Sequence, residues 1–414
     1  YDRDAKEVKT VSAEVITADM TTWDGATSKW YVVKDKVEMN TRVTVTGDVH
    51  LILADGAELK AKKGINVSEE NALTIYGQTD EVTQNTGKID ANGVSMSGIG
   101  GTYYGSACGK ITITGGVVDA KSIYDGAGIG GGSGVDGGII TITGGTVTAT
   151  SVNGAGIGGG ANSSIGATLK GGTITITGGT VTAKSNSGAG IGGGLEGAGE
   201  TTEISGGTVE AISIDGAGIG GGYKGSGGKI TISGGTVKAI AKDYGDGNGA
   251  GIGGGKKGSG GNITISGGKV LANSTFGHGI GGGISKESGG HNGANGSFST
   301  GADGKAMIIS KSIADKNGQG SWQGIIFELP NGNVYGNQEL NEDFEIKEGQ
   351  TLTIPAGTTL TIHSGKTLII KGKVRNFGTI KGNVQIIENG KLLEPYPAPN
   401  VVIDYRAEKL TGFN

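Results

Sequence analysis

Apolar and polar positions alternate in short runs that recur along the middle of the chain. The runs are ITITGGVVDA from Ile111, ITITGGTVTA from Ile140 and again from Ile174, EISGGTVEA from Glu203, ITISGGTVKA from Ile230 and ITISGGKVLA from Ile263. Ile174 and Ile176 alternate with Thr175 and Thr177; past the Gly-Gly pair, Val147 and Ala149 alternate with Thr146, Thr148 and Thr150. A period of two predicts strands with one face buried and the other wet. The Gly-Gly pair supplies a backbone that can take positive φ at a tight corner. Between the runs lies GAGIGGG, opening at Gly126, Gly154, Gly188, Gly216 and Gly249, with the variant GHGIGGG at Gly277. Its Ala155 and Ile157 predict a third short inward-facing strand. The six starts are 28, 34, 28, 33 and 28 residues apart.

Three strands per repeat, with no helical period anywhere, describe one turn of a coil. One coil cannot bury its isoleucines alone, whereas coils stacked at about 4.8 Å give continuous Ile, Val and Ala ladders. The expected fold is therefore all-β, a parallel β-helix with three short strands per coil, right-handed as parallel crossovers nearly always are.

The pattern also divides the chain. Residues 1–85 lack the glycine motif but keep the strand pattern at Val43, Val45, then Leu51, Ile52, Leu53, then Leu73 and Ile75, and read as irregular opening coils or a cap. Residues 86–300 form the repeat array, with a polar, glycine-rich loop expected over Ser285–Gly304. Residues 301–393 carry shorter β coils that close the stack or form a second small solenoid. Residues 394–414 begin with EPYPAPN, a stiff linker, and continue into what reads as the first strand of a following domain.

Composition sharpens this picture. Glycine reaches 89 of 414 residues with only 5 prolines and no Gly-X-Y period, which excludes collagen. Aromatics at 5% are too sparse for one large compact core. A net charge of −4 without a basic stripe argues against nucleic acid as a partner. No apolar run approaches the ~18 residues of a membrane span. Tyr1 opens without a signal peptide, so export and anchoring signals are expected in segments outside this sequence.

Several motifs invite a chemical reading. GAGIGG matches the dinucleotide fingerprint G-x-G-x-x-G, but that fingerprint needs a helix N-terminus after it; no helix follows, so the glycines are read as structural and no cofactor is expected. GGSGVD at Gly131–Asp136 resembles one calcium nonapeptide, yet its counterparts GGANSS, GGLEGA, GGYKGS and GGKKGS lack the aspartate. The outward column after the corner reads Asp119, Thr148, Thr182, Glu210, Lys238, Leu271. Asp119 and Glu210 then stand three coils, about 14 Å, apart, beyond the roughly 5 to 9.5 Å that glycoside hydrolysis requires. No catalytic residue is assigned. Glu196, Glu200, Glu203 and Glu210 share one coil and read as a solvated acidic face. Thr112, Thr141 and Thr175 begin a threonine ladder of the kind ice-binding solenoids use, interrupted by Glu203.

The sharpest departure from the repeat lies near its end. The insertion KDYGDGN brings Asp243, Tyr244 and Asp246 ahead of Gly249, and one coil later His278 replaces an alanine, with His291 nearby in sequence. Two acids, a tyrosine and a histidine on neighbouring coils are a candidate ligand or metal site. Tyr223 and Tyr124, with Tyr103 and Tyr104, fall in loops where aromatic rings can stack on sugars.

Taken together, WYVVKDKVEMNTRVTVTGDVHLILADGAELKAKKGINV, the GAGIGGG/ITITGGTVTA array and the TLTIPAGTTLTI tail resemble the glycine-rich β-helix region of large Gram-positive bacterial surface proteins. More broadly they resemble the pectate-lyase-like β-helix superfamily. The resemblance implies an extracellular, secreted or wall-attached module, adhesin-like or glycan-binding, with host or dietary polysaccharide as partner. The superfamily includes enzymes too, so a polysaccharide hydrolase or lyase with its groove along one face is the alternative. The chain is expected to be monomeric.

Overall fold

The structure is a computed structural model that describes residues 10–27, 29–78, 86–161, 169–242, 247–286 and 292–393. From Trp30 onward the chain winds as a right-handed parallel β-helix whose coils have three faces. The first face stacks Trp30–Val33, Asp48–Leu53, Ala72–Gly77, Lys110–Ile113, Ile139–Ile142, Thr173–Ile176 and Thr201–Ile204 in parallel register. The second stacks Lys36–Met39, Glu58–Ala61, Lys88–Gly93, Val117–Ser122, Thr146–Thr150, Thr180–Lys184 and Thr208–Ser213. Lys229–Ala241 and Asn262–Ser274 each run unbroken across the corner and serve both faces. The third face is a ten-stranded parallel sheet, built in the array from Ile-Gly pairs such as Ile157–Gly158.

Register fixes the core. Ile111, Ile140 and Ile174 lie on one another, as do Val118, Val147 and Val181, and Ile129, Ile157 and Ile191; all are essentially inaccessible. Each buried Ile or Val contributes roughly 1.5–3 kcal/mol of transfer free energy. No coil is stable alone, so neighbouring coils share these contacts.

The first glycine of each GAGIGGG motif is required by close approach. A Cβ on Gly154 would run into the Gly126 carbonyl, and one on Gly188 into the Gly154 carbonyl; Gly126, Gly216, Gly249 and Gly277 meet the coil before them in the same way. Backbone stacks directly on backbone at this corner.

One expectation is corrected. The stretch read as a loop over Ser285–Gly304 contains Ile284–Ser285, antiparallel to Gly247–Asn248, and Ser297–Ser299, which extends the first face. Phe298 enters the isoleucine column above Ile263 and is buried, so the polar residues around it do not stop the strand.

Past Met307–Ser310 the chain reverses. Gly324–Glu328 continues the second face in parallel, then pairs antiparallel with Asn331–Tyr335. That hairpin leads into a second, smaller three-faced stack whose first strands start at Asn331, Thr351, Lys373 and Lys391. It has a separate core of Phe327, Leu352, Ile354, Leu360, Leu368 and Ile370.

Candidate functional site

A groove of about 540 Å³ lies at the corner where the third face turns into the first. Its long wall is the outermost column of the first face, Ala72, Lys110, Ile139 and Thr173, in register over four coils. Three steps of roughly 4.8 Å make this wall about 14 Å long. The linking loops supply the rest: Glu69 and Glu70 at one end, Asp136 in the middle, Lys170 and Glu200 at the other end, and Cys108 among the lining residues. Ile139 is 52% exposed and gives the groove an apolar centre.

The polar groups at the far end hold one another. The Lys170 ammonium lies 3.1 Å from Glu200 Oε1, and the Lys170 backbone N–H donates to Asp136 Oδ1 at 2.8 Å. The Glu200 hydrogen bond and charge raise the Lys170 pKa, so the ammonium stays charged. Burial pushes the Cys108 thiol up to about 12, which leaves it protonated and unreactive.

Glu200 stands where its neighbours carry glycine. Gly138, Gly172, Gly228, Gly261 and Gly296 occupy this column with φ between 73° and 78°, and Glu200 takes φ 54°. A Cβ added at the neighbouring glycines of this column would crowd the carbonyl of the coil below, 2.3 Å away at Gly172 and at Gly228. The ladder shows it: Thr201 N–H reaches the Gly172 carbonyl at 3.3 Å, while Lys229 N–H approaches the Glu200 carbonyl at 2.5 Å. Two residues on, Thr202 fills an isoleucine position, buried, with no partner for its hydroxyl among the described residues. Left-handed backbone at a non-glycine and an unsatisfied buried hydroxyl each cost about 1–3 kcal/mol. Such costs concentrate at functional sites.

The residues expected from sequence are distributed differently. Asp243, Tyr244, Asp246 and His291 lie outside the described residues. His278 is half-buried with Nδ1 3.2 Å from Ser312 Oγ; burial, then Lys311 and Lys316, lower its pKa and keep the ring neutral. Among the described residues no group of three or more His, Cys, Asp or Glu side chains is arranged to hold a metal. Tyr223 has the ammoniums of Lys224, Lys257 and Lys256 at 5.1, 5.7 and 5.9 Å from its ring centroid, so cations already crowd the ring. Tyr124 is 54% exposed at the corner entering the third face, and Tyr103 packs edge-on against Tyr104.

Three of the four glutamates read as a solvated acidic face are tied to neighbouring coils. Glu196 meets Lys224 at 2.6 Å, Glu210 meets Lys238 at 2.6 Å, and Glu200 meets Lys170. The column from Asp119 to Leu271 stands as read, but it continues below Asp119 through Asp90, Lys60 and Glu38. Burial, then Asp90, raise the Asp119 pKa, against a lowering by Lys121. This carboxylate pair sits on the second face, away from the groove lining.

On the first face near the start of the helix, Trp30, His50 and Tyr76 form a ladder of rings. Trp30 and His50 stack at 4.4 Å, and His50 Nδ1 lies 3.0 Å from the Tyr76 hydroxyl. Because these rings cover one another, they are a poor platform for sugar.

The chain is similar to the Beta helix repeat family over residues 111–133, 140–161, 174–195, 203–223, 230–256 and 263–284. No curated protein and no solved structure matches the chain. Each matched segment starts on the first face and ends just past GAGIGGG. The charged groove residues Glu69, Glu70, Lys110, Asp136, Lys170 and Glu200 all fall between or before those segments. The repeat supplies the scaffold, and the groove is made of what departs from it.

Proposed function

We propose that this chain is a non-catalytic extracellular module, an adhesin-like β-helix that binds glycan in its corner groove and spaces neighbouring domains. The observation that carries the reading is the groove's lining. An exposed isoleucine lies between lysine and carboxylate side chains along a rigid wall of about 14 Å, which suits pyranose rings, apolar on one face and ringed by hydroxyls. The shared core ladder beneath makes the wall stiff, so little ordering opposes binding. Attachment to a Gram-positive cell wall rests on the resemblance of the repeat motifs alone. Binding to a glycan panel, run beside reducing-sugar release on the same panel, tests the reading. Binding without release supports it, and absence of binding to every glycan overturns it.

One observation favours an enzyme as the second reading. Asp90 and Asp119 are neighbours in register, and carboxylates one coil apart come within the range of glycosidase pairs. They lie on an open strand face without a groove around them. Sugar release that Asp119→Asn abolishes would establish this reading over the first.

A further inference from the structure

We propose that His278 is an acid-sensitive latch, which fastens the strap Lys311–Ala314 over the last coil of the array while its ring is neutral and loosens it when protonated. The latch lies apart from the groove and does not depend on glycan binding. The strap adds one more layer to the third face. Ile313 bridges Ile280, Ile280 N–H donates to the Ser312 carbonyl at 2.9 Å, and Ala314 N–H donates to the Ile280 carbonyl at 2.9 Å. Ile280 and Ile313 are both buried, so the strap closes the isoleucine column of this face before the chain enters the hairpin and the second stack.

In the five coils below, the place of His278 is held by Ala127, Ala155, Ala189, Ala217 and Ala250, all inaccessible. The histidine departs from that column by bonding to the strap: its Nδ1 lies 3.2 Å from Ser312 Oγ. It is half-buried there, among charges mostly of its own sign. Lys311 opens the strap, with its ammonium 2.6 Å from the Thr275 carbonyl, and the Lys286 ammonium sits 3.0 Å over the ring centroid of the adjacent Phe276. Lys316 follows the strap. Its partner Glu328 also accepts from Ile313 N–H, and the Asp315 carboxylate accepts from Phe298 and Asn317 N–H.

These surroundings oppose an imidazolium. Burial, then Lys311 and Lys316, lower the His278 pKa, and Lys311 is lowered in turn by burial and by Lys286. A proton on the ring puts another cation into a half-buried space beside two lysines. The sign follows: the folded chain binds this proton less tightly than the unfolded chain does. The strap is therefore at full strength above the ordinary histidine value of about 6.5, and weakens as the pH falls through the lower folded value. A short strap held by a few bonds opens locally, without the rest of the helix. The histidines at positions 50 and 363 are engaged elsewhere, His50 with Trp30 and Tyr76, His363 with Glu339.

The test is hydrogen exchange read by mass spectrometry on the full chain, at pH 7.5 and 5.5, with rates corrected for the intrinsic pH dependence of exchange. Peptides covering 310–316 should lose at least about fivefold in protection at the lower pH, while peptides covering 139–150 keep theirs. His278→Ala restores the residue that the repeat itself uses, so the variant keeps the fold and should lose the pH response. Lys311→Gln should shrink the response by removing one of the opposing charges. Protection of the strap that is equal at the two pH values overturns the proposal, and so does a loss that His278→Ala shows in full.

Discussion

Ser274 Oγ donates a 2.8 Å hydrogen bond to the side-chain oxygen of Asn248, deep inside the coil. The bond lies beside a gap in a buried ladder. Ser151, Ser185 and Ser213 each donate at 2.6 Å to the first glycine carbonyl of the preceding coil's GAGIGGG motif, Gly126, Gly154 and Gly188. The next position up is Ala241, which has no hydroxyl. Asn248 packs beside this position: its amide donates to the Ala241 carbonyl at 2.9 Å and its oxygen accepts from Gly277 N–H at 2.8 Å as well as from Ser274.

Asn248→Ala is therefore expected to destabilise the helix by about 2–3 kcal/mol, since it strands several buried groups at once. Adding Ala241→Ser restores a hydroxyl beneath the Gly216 carbonyl and should recover part of the loss. Denaturant unfolding of the single and double variants measures both. No recovery would mean that the serine ladder does not carry the energy.

Much of this architecture was legible in the sequence, and the reason is register. Because parallel coils stack residue on residue, the period-two alternation at Ile174 and Ile176 states which side chains are buried, and the repeat states what lies above and below each. The column from Asp119 to Leu271 follows without coordinates. Asp90 was missed because its strand, Lys88–Gly93, precedes the first Gly-Gly corner, where the count of repeats starts. The groove was missed because loops of unequal length carry no period. One signal was present: Gly138, Gly172, Gly228 and Gly261 align just ahead of the first-face strand, and Glu200 alone among them is not glycine.

The coil that holds Glu200 should trade stability for binding. Thr202→Ile restores the isoleucine column and removes a buried hydroxyl without a partner, and should add about 1–2 kcal/mol. Glu200→Gly relieves the left-handed backbone and should add about 1 kcal/mol, while releasing Lys170 from its partner and weakening glycan binding. Thermal melts and the glycan titration, run on both variants, separate the effects. A Glu200→Gly protein that is no more stable, or that binds as before, would remove strain as the reason for this residue.

Arg42 is a second interior fixture, joining the opening coils to the array. Its guanidinium donates to the carbonyls of Lys63, Ser97, Ile65, Gly100 and Gly101 at 2.8 to 3.2 Å. Burial lowers its pKa to about 10, so it remains charged at neutral pH. Arg42→Met fills the volume but takes the guanidinium from five carbonyls, of which Gly100 keeps Val67 N–H and Gly101 keeps Ser97 as donor, at a cost on the order of 2–4 kcal/mol. Arg42→Lys should recover only a part, because an ammonium has three donors and no planar fork. Unfolding midpoints of the two variants check the order, and a lysine variant as stable as the parent would contradict it.

Asp119 gives the fold an acid-side signature of its own. Its pKa is raised in the folded chain, by burial and then by Asp90, so the folded state binds the proton more tightly than the unfolded state. The penalty is present above the folded value and disappears as the pH falls below the unfolded one. Glu210 runs the other way: its hydrogen bond to Lys238 lowers its pKa, and its contribution is lost as the pH falls through the folded value. Asp119→Asn should thus raise the melting temperature slightly at neutral pH, with the gain vanishing in acid, where Asp119 is protonated in the folded and the unfolded chain alike. Glu210→Gln should lower the melting temperature at neutral pH and converge with the parent in acid. A series of melts across that range reads both slopes, and a gain for Asp119→Asn that persists unchanged in acid would show that repulsion from Asp90 is not its source.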